Sequence, residues 1–359
     1  MTSLDEPVSR SHAASSTLQM WVVAQKTACR FLSDPCLFLS LACAGPDRRH
    51  MQLMENPMDE LRAIVMRAGD RWTATGIPRV AMVRSEACSD QVYEPMLHLV
   101  LQGSKTLSIG DHVLQFEPAT YFVVPVDVPA IGQIRSDAPA SPYLALSLTL
   151  DPAVIATLLA DNDRPGREQA PDFLVTSATP ELIDAWLRMM RLVDRPDEAA
   201  MLAPLIEREI LFRVLQGPQG AMLRQIAHTS SRLSQVRRAI DWIRAHYTEP
   251  FRVEPLAAMT GMSVAAFYRH FKAIAAMTPI QYQKKLRLLQ ARQLLLFEPR
   301  DAASIAFSVG YESASQFSRE YARMFGLPPV RDMARYRSPP STAGRAVSGA
   351  PLNSSDLSA

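Results

Sequence analysis

The sequence predicts an α+β protein of two domains: a β barrel or sandwich with helices after it, then an all-α domain built around two helix-turn-helix motifs. Three observations carry that expectation. The hydrophobic period switches from two to 3.6 residues near Asp151. A helical segment is duplicated in the last third of the chain. Charge is unevenly divided: residues 232–337 hold 17 Lys and Arg against 8 Asp and Glu, net +9, within a 359-residue chain of net +2, so the remainder is near −7. A basic half beside an acidic one points to a nucleic-acid-binding part and a part with another task.

Hydrophobic residues make up 48% and charged residues 21% of the chain, which suits packed cores rather than extended disorder. Residues 1–57 show no clear period and read as a disordered leader or a mis-set start, with Met51, Met54 and Met58 as later candidate starts. The run "CLFLSLACAG" (36–45) is too short to span a membrane. The four cysteines, Cys29, Cys36, Cys43 and Cys88, follow no zinc-ligand spacing, so free thiols in the cytoplasm are expected.

From Pro78 to Leu150 the chain reads as six or so short strands. "PMLHLVLQGSKTLSIG" alternates around Gly103, Gly110-Asp111 is a turn pair before "HVLQF", and Pro118 separates two apolar runs. "PYLALSLTL" is a further strand. After it, "DPAVIATLLA" opens with an Asp N-cap and a Pro at the first helical position. "TPELIDAWLRMMRLVD" and "MLAPLIEREILFRVLQG" give two more amphipathic helices, whose apolar stripes serve a core or a dimer seam.

The duplication comes next. "LAAMTGMSVAAFYRHF" (256–271) and "IAFSVGYESASQFSREY" (305–321) align on Gly261 and Gly310. Leu256 matches Ile305 and Ala257 matches Ala306; after one residue inserted in the second copy, Ser263 matches Ser313, Phe267 matches Phe317, Arg269 matches Arg319 and Phe271 matches Tyr321. The Ala allows close helix approach, the Gly a left-handed turn, the Ser caps the second helix, and the two rings bury one face. The Arg lies off that face, where a phosphate or base contact needs it. Between the copies, "TPIQYQKKLRLLQARQLLL" (278–296) forms a strut of about 27 Å at 1.5 Å per residue. Lys284, Lys285 and Arg287 on it serve either phosphates or a solvated face.

The segments "GMSVAAFYRHFKAIAAMTPIQY" (261–282) and "SIAFSVGYESASQFSREYARMFGLPP" (304–329) resemble the AraC/XylS family of bacterial transcription regulators. The resemblance covers about 234–337 and implies a seven-helix DNA-binding domain with motifs at about 253–273 and 302–325. It implies recognition helices at 264–273, with Ala265, Tyr268 and Arg269 towards the DNA, and at 314–325, with Ser315, Gln316 and Arg319 towards it. Lys272, Ser313 and Arg323 complete the expected DNA-contacting set. Small side chains at Ala265, Ala266, Ala314 and Ser315 leave few long base readers, so Arg269 and Arg319 are the best placed for guanine or phosphate.

The stretch 78–160, above all "LVLQGSK" and "PYLALSL", is similar to the cupin-like jelly roll of one subgroup of that family. That resemblance implies a sensor or dimerisation domain over 58–225, followed by the DNA-binding domain at 234–337; the Ser/Pro/Ala/Gly-rich stretch 338–359 reads as a disordered tail. The effector is a small molecule the sequence does not name. The implied partners are promoter DNA, RNA polymerase for an activator, and a second copy of the chain. No membrane partner, cofactor or metal is expected.

The alternative is a cupin-type metalloenzyme fused to a DNA-binding domain. Metal cupins need a close His-x-His pair, a Glu and a later His, whereas His98 and His112 stand apart with only Glu94 nearby. No catalytic triad or carboxylate pair stands out, so the chain reads as a non-enzyme. Cys88 is a candidate thiol sensor or an inert cysteine.

Overall fold

The computed structural model describes residues 56–86, 90–135, 141–161, 173–298 and 300–337. The leader read at 1–57, apart from Asn56 and Pro57, the tail at 338–359, and all four cysteines lie outside the described residues.

Helix α1 (Pro57–Val65) opens the described chain, with the Asn56 side chain accepting from Met58 N at 3.1 Å. Ten strands follow in two antiparallel sheets. One has the order β1 (Thr73–Ala74), β2 (Val80–Ser85), β9 (Tyr143–Thr149), β4 (Met96–Gln102), β7 (Thr120–Val124), β10 (Thr176–Ser177). The other has the order β3 (Asp90–Tyr93), β8 (Val128–Arg135), β5 (Ser104–Ile109), β6 (His112–Phe116). Eight strands, β2–β9, lie within 78–150 where six or so were read from sequence, and β1 and β10 outside that stretch are two-residue pieces with no usable period.

The turn signals act as expected. Gly103 (φ +74°) makes the β4–β5 turn and Gly110 (φ +58°) the β5–β6 turn, both in the left-handed region. Strands β4 and β9 are buried on both faces along nearly their whole length, because α1 covers the outside of their sheet. This is why "MLHLVL" and "YLALSL" read as continuous apolar runs.

Helices α2 (Pro152–Ala160), α3 (Pro180–Arg191), α4 (Pro196–Gln216) and α5 (Gly220–Ala227) follow. Asp151 caps α2 and Thr179 caps α3, each ahead of a Pro at the first turn. Helix α4 starts five residues before the segment read from sequence and carries Pro204 in its interior. One face of α4 buries Ala203, Ile206, Ile210 and Val214, while Met201, Leu205 and Phe212 on another face stay exposed.

The basic region folds as seven helices: α6 (Arg232–Ala245), α7 (Val253–Met259), α8 (Val264–Ala275), α9 (Pro279–Phe297), α10 (Ala302–Ser308), α11 (Ala314–Phe325) and α12 (Pro329–Arg337). The core of the β domain continues without a break into the first motif, through Phe267, Phe271 and Tyr282. The second motif has its own cluster around Ile305, Val309, Phe317 and Tyr321.

Candidate nucleic-acid interface

The two copies fold alike down to single hydrogen bonds. In the first, Met262 N donates to the Ala257 carbonyl at 2.9 Å; in the second, Tyr311 N donates to that of Ala306 at 3.0 Å. Gly261 (φ +68°) and Gly310 (φ +90°) turn the chain between the helices. At Gly310 a Cβ would lie 2.1 Å from the Thr248 carbonyl oxygen, so only glycine fits. Ser263 accepts from Ala266 N and Ser313 from Gln316 N, each at 3.3 Å. Phe267 packs on Phe271 with ring centroids 5.6 Å apart, and Phe317 on Tyr321 at 5.5 Å.

Burying those rings fixes what each recognition helix turns outward. On α8, Ala265, Arg269 and Lys272 are exposed and Tyr268 is half-buried. On α11, Ser315, Gln316, Arg319 and Arg323 are exposed, and Ser313 sits at the cap. Helix α8 runs two residues past the expected Ala273 and ends at Ala276 in the left-handed region (φ 60°). The span of α11 matches the expected one. The burial-lowered pKa of His270, pushed further by Arg232 and Arg269, marks a concentration of positive charge beside α8.

Helix α9 is the strut. Thr278 and Gln281 form a reciprocal capping box, and 19 residues give a length of about 28 Å. Neither phosphate contact nor a solvated face describes Arg287. Its guanidinium donates to the carbonyls of Tyr247 (2.6 Å), Gly310 (2.8 Å) and Glu249 (3.1 Å), clamping the second motif's turn to the end of α6. Lys284 pairs with Glu320 at 2.7 Å, and burial lowers the Lys285 pKa. Glu320 also accepts from Tyr311 OH (2.9 Å) and Gln316 Nε2 (3.3 Å). It therefore holds a candidate base reader in place, a role that no local pattern in the sequence signals.

A second group missed by sequence reading joins the β domain to these helices. Arg292 on α9 reaches Asp90 of β3 and Asp332 of α12, the latter at 3.0 Å. Arg244 pairs with Asp127, and Tyr282 OH donates to the Asp127 carbonyl at 3.0 Å. Burial raises the pKa of both Asp90 and Asp127 above the ordinary aspartate range, against the pull of their arginines. At the β5–β6 turn, a Cβ on Gly110 would lie 1.9 Å from the Ala276 carbonyl oxygen. Asp111 pairs with Lys272 at 3.2 Å. His112 shares an open groove of about 590 Å³ with Ala265, Tyr268, Arg269 and Lys272. The hairpin thus abuts the outward face of α8.

His98, weighed as a metal ligand, lies in the β-domain core with Nε2 2.9 Å from Tyr143 OH. Among the described residues no group of three or more His, Cys, Asp and Glu side chains is placed to hold a metal ion. None of the described helices is long and apolar enough to cross a membrane.

Two family models match the chain: the N-terminus of AraC-type transcriptional regulators over residues 76–222, and a helix-turn-helix domain over 256–335. The transcriptional activator RhaS of Escherichia fergusonii is 32% identical over 130 residues, covering 36% of this chain and 46% of RhaS. The transcriptional regulator ExsA of Pseudomonas aeruginosa is 28% identical over 164 residues, covering 46% and 58%. The chain thus spans about half the length of these curated relatives. The solved DNA-binding domain of AdpA, in complex with a target DNA, is 30% identical, with 29% of this chain and 93% of that one covered and a TM-score of 0.28.

Proposed function

The chain belongs to the AraC family of transcriptional regulators, and from that premise we propose that it is a cytoplasmic, sequence-specific regulator of promoters. The observation that carries this reading is the pair of matched motifs on one strut, each turning a basic, polar helix face outward. A strut about 28 Å long approaches one turn of B-DNA, about 34 Å, so α8 and α11 would enter successive major grooves on one side of the duplex. Arg269 and Arg319 would read guanine or grip phosphate. Lys272, Arg323 and the polar side chains Tyr268, Ser313, Ser315 and Gln316 would fix register, with Ala265 allowing close approach.

The two-sheet domain would sense a small molecule. Its β5–β6 hairpin lies against α8, and Asp111 holds Lys272, so a ligand that shifts the hairpin alters what DNA can reach. Such coupling requires a ligand with different affinities for the docked and released arrangements. The exposed Met201, Leu205 and Phe212 on α4 support a homodimer through that helix. An activator would also contact RNA polymerase. The reading includes no catalytic role.

The test is a footprint on DNA upstream of the chain's own and neighbouring genes, in 150 mM salt with excess competitor. A protected, competitor-resistant site about two helical turns long supports it. Protection that vanishes with competitor, with and without cell-extract small molecules, would refute sequence specificity.

A further inference from the structure

The two motifs share their caps, turns and rings but differ together at three positions. Where the second has Tyr311, Gln316 and Glu320, the first has Met262, Ala266 and His270. Backbone contacts confirm the pairing. Met262 N and Tyr311 N donate to the matched Ala257 and Ala306 carbonyls, and Ala266 N and Gln316 N to the matched cap serines.

The three residues of the second motif touch one another. Glu320 Oε2 accepts from Tyr311 OH at 2.9 Å, and Oε1 accepts from Gln316 Nε2 at 3.3 Å. Lys284 of α9 reaches the same Oε1 at 2.7 Å. The first motif folds alike with a thioether and a methyl group at two of these places, and neither carries a hydrogen to donate. The polar set is therefore not a requirement of the motif's fold.

The Glu320 side chain is 13% exposed. Burial alone would raise its pKa, but the donors Lys284, Tyr311 and Gln316 outweigh burial and hold the carboxyl below the ordinary glutamate range. Tyr311 is pushed upward, by burial first and then by Glu320, so it keeps its proton. At neutral pH Glu320 is ionised and can only accept.

That decides which way the Gln316 amide turns. The oxygen and nitrogen of a glutamine amide are nearly alike in shape, and their assignment follows from their partners. An ionised carboxylate accepts from the nitrogen and repels the oxygen. Gln316 thus gives one N–H to Glu320 and keeps its oxygen and second N–H for the exposed face of α11. One acceptor beside one donor complements adenine in the major groove, where N6 donates and N7 accepts. Guanine presents two acceptors there, O6 and N7, and would set O6 against the amide oxygen.

We propose that Glu320 is a specificity-determining positioning residue: it locks the Gln316 amide in the polarity that reads adenine rather than guanine. This rests on the reading of α11 as a recognition helix, and it assigns a base to one operator position. The first motif, with Ala266 and His270, has no counterpart, so the preference belongs to the half-site under α11. Lys284 offsets a carboxylate that would otherwise repel the phosphates.

The experiment selects sites from a randomised duplex library with the purified full chain in 150 mM salt, with and without cell-extract small molecules. Single-base variants of the enriched site are then titrated by gel shift against the wild type, Gln316→Ala, Glu320→Gln and Glu320→Ala. The position read by Gln316 is the one whose preference Gln316→Ala erases. There the wild type should bind adenine about tenfold or more tighter than guanine. Glu320→Gln keeps the shape but can donate or accept, so the ratio should fall below about threefold, with preferences elsewhere in the site unchanged. Each ratio compares two duplexes with one protein, so a general gain in affinity from the lost charge cancels.

The proposal is overturned if that position prefers another base, or if the adenine preference survives in Glu320→Gln. It is also overturned if preferences fall alike at every position, as a merely structural role would give, or if no position answers to Gln316→Ala. Should Glu320→Gln fail to fold, Glu320→Ala decides by the same ratio. All these outcomes presuppose an enriched site and leave the regulator reading standing. A library that yields no enriched site sinks that reading, and the proposal with it.

Discussion

Replacing Arg292 by Met keeps the length of the side chain and removes its charge from between two buried carboxylates. Asp90 and Asp332 have side chains 8% and 4% exposed, and that of Arg292 is 15% exposed. Breaking such a pair by deleting one partner costs about 3–5 kcal/mol, since the remaining charge is left buried. Asp332 keeps the Tyr321 hydroxyl at 2.8 Å, so the lower end, about 3 kcal/mol, is expected.

The loss depends on pH. Asp90 already titrates above the ordinary aspartate range because burial outweighs Arg292, and removing Arg292 raises it further. A carboxyl with a raised folded pKa binds more protons folded than unfolded, so stability falls as pH rises through that window. The deficit of Arg292→Met is therefore largest near neutral pH and narrows as pH falls towards the raised value. Adding Asp90→Asn to Arg292→Met removes the orphaned charge and restores about 1–2 kcal/mol. Urea unfolding followed by both tryptophan fluorescence and circular dichroism measures these quantities and tests for a single transition. A deficit under about 1 kcal/mol at neutral pH, or one unchanged by Asp90→Asn, would refute the argument that this network is a buried ion pair joining the domains.

Other outcomes follow from the same structure. Arg319→Ala should weaken operator binding by about 1–3 kcal/mol if the arginine reads a base, or lower the salt slope by about one if it grips phosphate; an unchanged footprint at 150 mM salt would remove Arg319 from the interface. Gly110→Ala forces a Cβ onto the Ala276 carbonyl and a strained positive φ, so it should push the hairpin off α8 and raise DNA affinity several-fold without ligand. Asp111→Asn breaks only an exposed pair and should change affinity by less than about threefold; equal effects of the two, in gel-shift titrations, would contradict the steric account. His98 is held neutral with its pKa well below the ordinary value, so stability present above about pH 6.5 should be lost as pH falls below it. His98→Phe should flatten that part of the melting-temperature profile. Cys88→Ser is expected to leave the effector response intact; a lost response in a reporter assay would make the thiol a sensor.

The duplicated "LAAMTG…" and "IAFSVG…" segments determined both helix-turn-helix motifs from sequence alone. Cap, turn, ring spacing and outward Arg are all requirements met within about 15 residues of chain, and local geometry enforces them. The strand alternation, the Gly103 and Gly110 turns and the Asp151-Pro152 helix start were legible for the same reason. Helix α5 and the two-residue strands were not, since nothing in so short a period distinguishes them.

Side-chain partners were the other gap. Arg287 and Lys284 sit three residues apart on one helix, yet one clamps carbonyls and the other pairs with Glu320. Arg292 and Asp90 are 202 positions apart. Periodicity tells which way a residue faces within its own element, not which element it meets. Hence the sequence determined the motifs and the class of fold, while tertiary packing alone decided that a hairpin rests on α8 and that buried arginines join the domains.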